Sequence, residues 1–178
     1  MTTTELDIPL IGFAAYSGTG KTTTLTRVIP LLKLHGIRIG VVKHAHHTFE
    51  IDQPGKDSYE LRKAGANEVL VGSNSRWALM ADNIMQRDLE LSDHLAHLHQ
   101  DELDLILVEG FKPESIPKIE IHRPSLGHKP FYLHDPSIVA VATDDELAVP
   151  TNLPVLDLNN PQEIAEFVIN HCNLKISN

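Results

Sequence analysis

Ala15-Tyr16-Ser17-Gly18-Thr19-Gly20-Lys21-Thr22 is the stretch whose reading decides the fold. Before it, Ile8 to Ala14 is an apolar run that reads as a buried strand. After it, Thr23-Thr24-Leu25-Thr26-Arg27-Val28-Ile29 reads as the first turns of a helix. Strand, glycine-rich turn, Gly-Lys-Thr and helix form the order a phosphate-binding loop requires. Gly18 and Gly20 let the backbone bend so that several N–H groups converge on one anion. The helix N-terminus behind them adds a partial positive charge. Lys21 can reach outer phosphates and the Thr22 hydroxyl can ligate magnesium. Ser17, Gly18, Thr19, Gly20, Lys21, Thr22 and Thr23 are therefore the candidate residues for a nucleoside triphosphate or a similar phosphate ester. The usual pattern opens on glycine, where this chain has Ala15. Tyr16 stands where some dimeric nucleotide switches carry a lysine that reaches the partner subunit, so that device is not expected.

Bulk composition narrows the rest. A chain of 178 residues is expected to form a single nucleotide-binding domain over 1–178, with a core large enough to need no covalent staple. Hydrophobic content of 42% and charged content of 22% are those of a soluble globular protein. A net charge of -9 without a long basic block argues against a nucleic-acid partner. Lys21, Lys43, Lys56 and Lys63 can still attract an anion locally. The single cysteine, Cys172, excludes an internal disulfide framework and a cysteine zinc site, and fits a cytoplasmic location. Met1 to Pro9 carries Glu5 and Asp7 and no basic region, so no secretory signal is read there. No apolar run approaches the ~20 residues that cross a bilayer, so no membrane association is expected.

The remaining pattern is a βα alternation, which predicts an α/β fold of the P-loop NTPase type. The expected architecture is a mostly parallel sheet flanked by helices, with a short antiparallel edge pair. The first helix is expected from Gly20 to about Leu34, ending at Gly36, with Pro30 kinking or breaking it. Ile37 to Val42 reads as a strand. Asp57 to Ala64 reads as a helix capped by Asp57 with Glu60 as reciprocal partner. Glu68 to Gly72 and Trp77 to Ala81 read as a hairpin across Ser73-Asn74-Ser75. Asp88 to Gln100 reads as a helix whose His94, His97 and His99 face solvent. Leu103 to Val108, Lys118 to His122, Ile138 to Ala142 and Val155 to Leu158 read as further strands, with Asp104 opening its strand. Asn160 and Pro161 start a terminal helix.

Ligands of open α/β sheets sit beyond the carboxyl ends of the strands, so residues there are the next candidates. Glu109 follows Leu105-Ile106-Leu107-Val108 and, with Thr22, is a candidate for holding magnesium; Lys21 and Glu109 are the candidates for chemistry on a phosphate. Lys43, His44, His46 and His47 follow the second strand, and Lys56 comes soon after. Three close histidines invite a metal, though at a spacing that is not a recognised zinc pattern; the other readings are a solvated loop and a polar loop over a nucleotide or a second phosphorylated ligand. Thr143-Asp144-Asp145 is either a turn or a base-recognition element, since a carboxylate at Asp144 accepts from the N–H donors of guanine and adenine offers no such pair. Arg123 is either a surface residue or a phosphate contact.

Together, Tyr16 to Thr23, Val42-Lys43-His44-Ala45-His46-His47, Asp52, Gly55-Lys56-Asp57-Ser58, Ala64-Gly65-Ala66, Leu107 to Lys112 and Ile119-Glu120-Ile121-His122-Arg123 resemble the molybdopterin-guanine dinucleotide biosynthesis adapter proteins. The resemblance spans Ile8 to about Pro161. It implies a dimeric P-loop protein that binds GTP with Mg2+, has feeble GTPase activity, and assists the molybdenum cofactor guanylyltransferase in joining GMP to molybdopterin. Lys21 and Thr22 then handle phosphates and magnesium, and Glu109 lies in the acidic motif at the metal. The histidine loop becomes a contact for nucleotide or pterin phosphate. A small-molecule kinase with Asp52 or Glu109 as base, and a non-catalytic pterin-phosphate carrier, are the competing readings. The short strands at Glu68–Gly72 and Trp77–Ala81 are candidates for pairing with a second chain, or with each other alone.

Overall fold

The computed structural model describes residues 8–45, 49–83 and 87–176. The elements run β1 (Leu10–Ala14), α1 (Lys21–Leu34), β2 (Ile39–Lys43), α2 (Asp57–Lys63), β3 (Glu68–Gly72), β4 (Trp77–Ala81), α3 (Leu91–Leu95), β5 (Leu105–Glu109), β6 (Lys118–His122), β7 (Ile138–Thr143), β8 (Val155–Asp157) and α4 (Pro161–His171). They fall into two compact units, Met1–His44 with Glu90–Asn178, and Ala45–Leu89.

The larger unit is a six-stranded sheet in the order β2-β5-β1-β6-β7-β8, parallel throughout. Strands in such a sheet are covered on both faces, and β5 accordingly reads Leu-Ile-Leu-Val-Glu and is buried at every position. Alternation along the strands sends Ile11, Phe13, Leu105, Leu107, Ile119 and Ile121 to one core, where α1 (Leu25, Val28, Leu32) and α4 (Ile164, Ala165, Val168) cover them. Val42, Ile106 and Val108 enter a second, smaller core with Leu91, Leu95 and Phe111.

α1 begins one residue after the expected Gly20 and runs unbroken through Pro30. Proline there removes the donor for the Thr26 carbonyl, but both residues are exposed, so water replaces the lost partner. Gly36 has φ 77, as a residue closing a helix in the left-handed region does. The helix expected over 88–100 is only Leu91–Leu95. Its start is a capping box between Glu90 and Asp93. Beyond Leu95 the backbone bonds tighten, the His97 N–H donating to the His94 carbonyl at 3.2 Å and the Leu98 N–H to the Leu95 carbonyl at 3.1 Å, and Gln100 Nε2 also donates to the Leu95 carbonyl at 2.9 Å. Asp104 does open β5, and the Arg38 guanidinium donates to both its oxygens at 2.9 and 2.8 Å.

In the smaller unit, the cap of α2 is Lys56 rather than Asp57, with no side-chain cap bond. Asp57 and Glu60 instead lie in the first turn, where they favour the helix through its dipole. β3 and β4 pair antiparallel from Glu68↔Ala81 to Gly72↔Trp77, as the sequence predicts. Ser73 closes the turn, its N–H donating to the Arg76 carbonyl at 2.7 Å. Arg62 also pairs with Glu50, and its hydrogen bond to Asp52, at 2.9 Å, holds the Asp52 carboxyl below its usual range.

Candidate functional site

The loop from Ala15 to Gly20 joins the C-terminal end of β1 to the N-terminus of α1. Gly18 (φ 78) and Gly20 (φ 104) occupy the left-handed region, where a side chain would strain the backbone. Ser17 and Gly18 form the exposed tip, whereas Ala15 and Thr19 are buried. The Thr19 hydroxyl donates to the Tyr16 carbonyl at 3.0 Å, and the Thr24 N–H to the Gly20 carbonyl at 2.9 Å. The Lys21 ammonium folds back over the loop and donates to the Ala15 and Tyr16 carbonyls at 3.1 and 3.2 Å. Burial is the first cause of a lowered Lys21 pKa, followed by the nearby Lys112 and opposed by Glu109. An anion on the loop would relieve that pressure.

β2 and β5 bring the next residues alongside. Their register pairs Lys43 with Glu109, and Lys43 Nζ lies 3.1 and 3.2 Å from the two Glu109 oxygens. The Thr22 hydroxyl donates to Glu109 Oε1 at 3.0 Å. Gly110 (φ 96) keeps the chain after β5 close to β2, because a Cβ there would lie 2.9 Å from that of His44. Hydroxyl and carboxylate oxygens are the donors a magnesium ion takes, so Thr22 and Glu109 fit the ion chemically. Lys43 already presents a positive charge to the same carboxylate, and a divalent ion would compete with it.

β6 and β7 supply Arg123 and Asp144. Arg123 Nε donates to the Thr19 carbonyl at 3.0 Å and its guanidinium pairs with Asp144. It thus braces the loop from the side of β7. Asp144 Oδ1 is buried without a hydrogen-bond partner, an acceptor that a ligand N–H would satisfy. The turn chemistry falls to its neighbours, with Thr143 Oγ1 donating to the Asp145 carbonyl at 2.9 Å.

The candidates thus fall into groups. Lys21, Thr22, Glu109 and Lys43 share one cluster, and Arg123 and Asp144 adjoin the loop. Thr23 is exposed on the first turn of α1. The His44 ring packs on Phe111 at 4.9 Å between centroids. Lys56 belongs to the smaller unit, as the residue before α2. His46 and His47 lie outside the described residues. No group of three His, Cys, Asp or Glu side chains that could hold a metal occurs among the described residues. His94, expected in solvent, is half-buried against the Phe111 ring, and burial lowers its pKa.

Sequence reasoning passed over a neighbouring wall. Tyr16 stacks on His128 at 4.2 Å and on Phe131 at 4.6 Å, and Lys112 Nζ lies 5.1 Å above the Tyr16 ring. The signal for it was the alternation of charge in Lys118-Ile119-Glu120-Ile121-His122, which puts three ionisable groups on one face of a buried strand.

A parallel sheet with this loop between its first strand and first helix defines an α/β protein of the P-loop NTPase-like class. Residues 10–144 match the family model described as molybdopterin guanine dinucleotide synthesis protein B, and the chain belongs to that family. It is 50% identical over 165 residues to the molybdopterin-guanine dinucleotide biosynthesis adapter protein of Escherichia coli (strain K12), covering 91% of this chain and 92% of that one. It is 43% identical over 164 residues to the protein of the same name from Haemophilus influenzae, covering 92% and 89%. The crystal structure of the MobB homologue from Bacillus stearothermophilus superimposes with a TM-score of 0.71 at 25% identity, over 92% of this chain and 97% of that one. Bacillus subtilis MobB, at 23% identity and a TM-score of 0.72 over 93% and 98%, shares the fold. No helix among the described residues is long and apolar enough to cross a membrane.

Proposed function

We propose that this chain is a cytoplasmic GTP-binding adapter. In this reading it assists the guanylyltransferase that attaches GMP to molybdopterin; the names of its relatives, adapter proteins of molybdopterin-guanine dinucleotide biosynthesis, support the adapter part of that role. The observation that carries the nucleotide reading is the cluster of Thr22, Glu109 and Lys43 beside a glycine loop closed by Lys21. Loop amides and Lys21 would take the triphosphate, with Lys21 neutralising charge that develops on it, and Thr22 and Glu109 would hold Mg2+, which would supply further positive charge to the phosphates. Asp144, with its unpartnered oxygen, selects guanine. Hydrolysis is slow in this reading because Arg123 is committed to the Thr19 carbonyl and Asp144 and is not directed at a phosphate. Leu70, Val71, Trp77 and Leu79 leave apolar surface exposed on β3 and β4, which favours a homodimer through that hairpin.

Calorimetric titration of GTP and ATP with magnesium tests the proposal. The wild type is expected to prefer GTP, Lys21→Ala to lose roughly 100-fold or more in affinity, and Asp144→Asn to lose the preference for guanine. Unchanged GTP affinity in Lys21→Ala would overturn the nucleotide reading. Failure of the purified chain to associate with the guanylyltransferase in the presence of GTP and molybdopterin would overturn the adapter reading.

A further inference from the structure

On the face of the sheet away from α1, segments 112–115 and 131–136 flank a cavity of about 370 Å³ above Ala14. That volume is at the small end for ligand sites, large enough for one ring system and too small for a folded peptide. Both walls are fastened to one buried ammonium. Lys118, 1% exposed, donates to the Lys112 and Glu114 carbonyls at 2.8 Å each and pairs with Asp135 at 2.8 Å. A second buried charge holds the far wall, since the Glu120 carboxylate accepts from the Phe131 and Tyr132 N–H groups at 2.8 Å each. Gly12 makes room for this arrangement, because a Cβ there would lie 2.7 Å from Lys118 Cγ. Burying two charged groups is costly, and apolar side chains would hold the sheet face at least as well. What the charges achieve is a hollow whose walls are set before any ligand arrives.

The chemistry of the lining selects the ligand. Pro113, Phe131 and Pro136 present flat, rigid apolar faces to a planar ring. Glu114 and His134 lie on the rim, and a carboxylate accepts from paired ring N–H groups. Lys112 borders the cavity, lies 5.2 Å above the Phe131 ring and acts electrostatically on Lys21 in the phosphate loop. Its ammonium thus stands between the cavity and the loop, where an anionic substituent of the ring would lie.

We propose that this cavity is a second binding site, for a flat heteroaromatic ring bearing a phosphate monoester, with Lys112 as the phosphate contact and Phe131 as the stacking face. That the ring is a pterin rests on the function proposed above; the cavity and its charge do not. The geometry then sets two phosphate-bearing ligands on either side of Lys112, one on the loop and one in the cavity.

The probe is 6-hydroxymethylpterin phosphate, whose own fluorescence is quenched on stacking, titrated into the full chain with GTP affinity measured in parallel. Saturable quenching is expected. Ser115→Trp, at an exposed rim position outside the phosphate loop, fills the hollow and should weaken the probe about tenfold or more with GTP affinity unchanged. Lys112→Met should weaken the phosphorylated probe about tenfold and leave unphosphorylated 6-hydroxymethylpterin nearly unaffected. No quenching in a wild type that binds GTP, or equal quenching in both variants, overturns the site. Quenching that follows this pattern in a chain that fails to bind GTP keeps the cavity and sinks the nucleotide reading alone.

Discussion

Toward α1 and α4, β6 contributes Ile119 and Ile121 to a dry core; toward the opposite face the same five residues contribute Lys118, Glu120 and His122. Both sets are buried. The first gains stability from area removed from water and from close packing, without directional demands. The second must satisfy each charge, and does so by seizing carbonyls and amides of segments 112–114 and 131–132 that would otherwise be free loops. One face thus holds the molecule together, and the other converts stability into a shaped surface next to the glycine loop. The same division appears at the sheet edge. Arg38 and Asp104 make a well-formed ion pair, but one exposed to water and distant in chemistry from any ligand.

The comparison breaks most sharply at Lys118. Lys118→Met strands the Asp135 carboxylate and two carbonyls, and a loss of about 3–5 kcal/mol in denaturant unfolding is expected. A loss below about 1 kcal/mol would mean that the charged face is no more demanding than the dry one. Ile164→Val on the dry face should cost about 1 kcal/mol and leave GTP affinity unchanged, because volume is all that is lost. A change in GTP affinity there would erase the division between the faces.

Glu120 sharpens the contrast through pH. Burial raises its pKa in the folded state above 4.5, against the opposing pull of the Phe131 and Tyr132 amides. Below its unfolded pKa the contribution is intact, and as pH rises through the folded value stability is lost, because the folded state then holds the proton more tightly than the unfolded chain. Glu120→Gln should remove that decline from the stability profile measured above pH 4.5; an unchanged slope would refute it. The smallest effect is expected at the exposed pair. Arg38 lowers the Asp104 pKa to about 2, so its contribution is present above 3.8 and is lost as pH falls toward 2. Asp104→Asn should lower Tm by only a few degrees at neutral pH, and the difference from wild type should vanish in acid.

How much was legible in the residues varies with the range of the forces involved. The β1–loop–α1 unit and the β3–β4 hairpin are written locally, in glycine placement, apolar runs and turn residues, and the structure places them at the expected residues within two positions. The end of α3 was not legible, because the chain switches after Leu95 to tighter turns while Leu91, Leu95 and Leu98 keep a helical spacing. The cap of α2 differed for a similar reason, since Asp57 serves the helix equally well inside its first turn. Asp144 left two readings open in the sequence, and its contact with Arg123, 21 residues earlier, put it beside the loop.

By itself the sequence determined the class of sheet, the glycine loop between β1 and α1 and the carboxylate at the end of β5, because backbone geometry and strand alternation are short-range and recur every few residues. Tertiary structure alone decided that Thr22, Lys43 and Glu109 converge, that Arg123 braces Thr19, and that Lys118 draws two loops around a hollow. Those contacts join residues far apart in the chain, and charges left unpaired in a low-dielectric interior are too costly to persist, so folding must bring their partners to them.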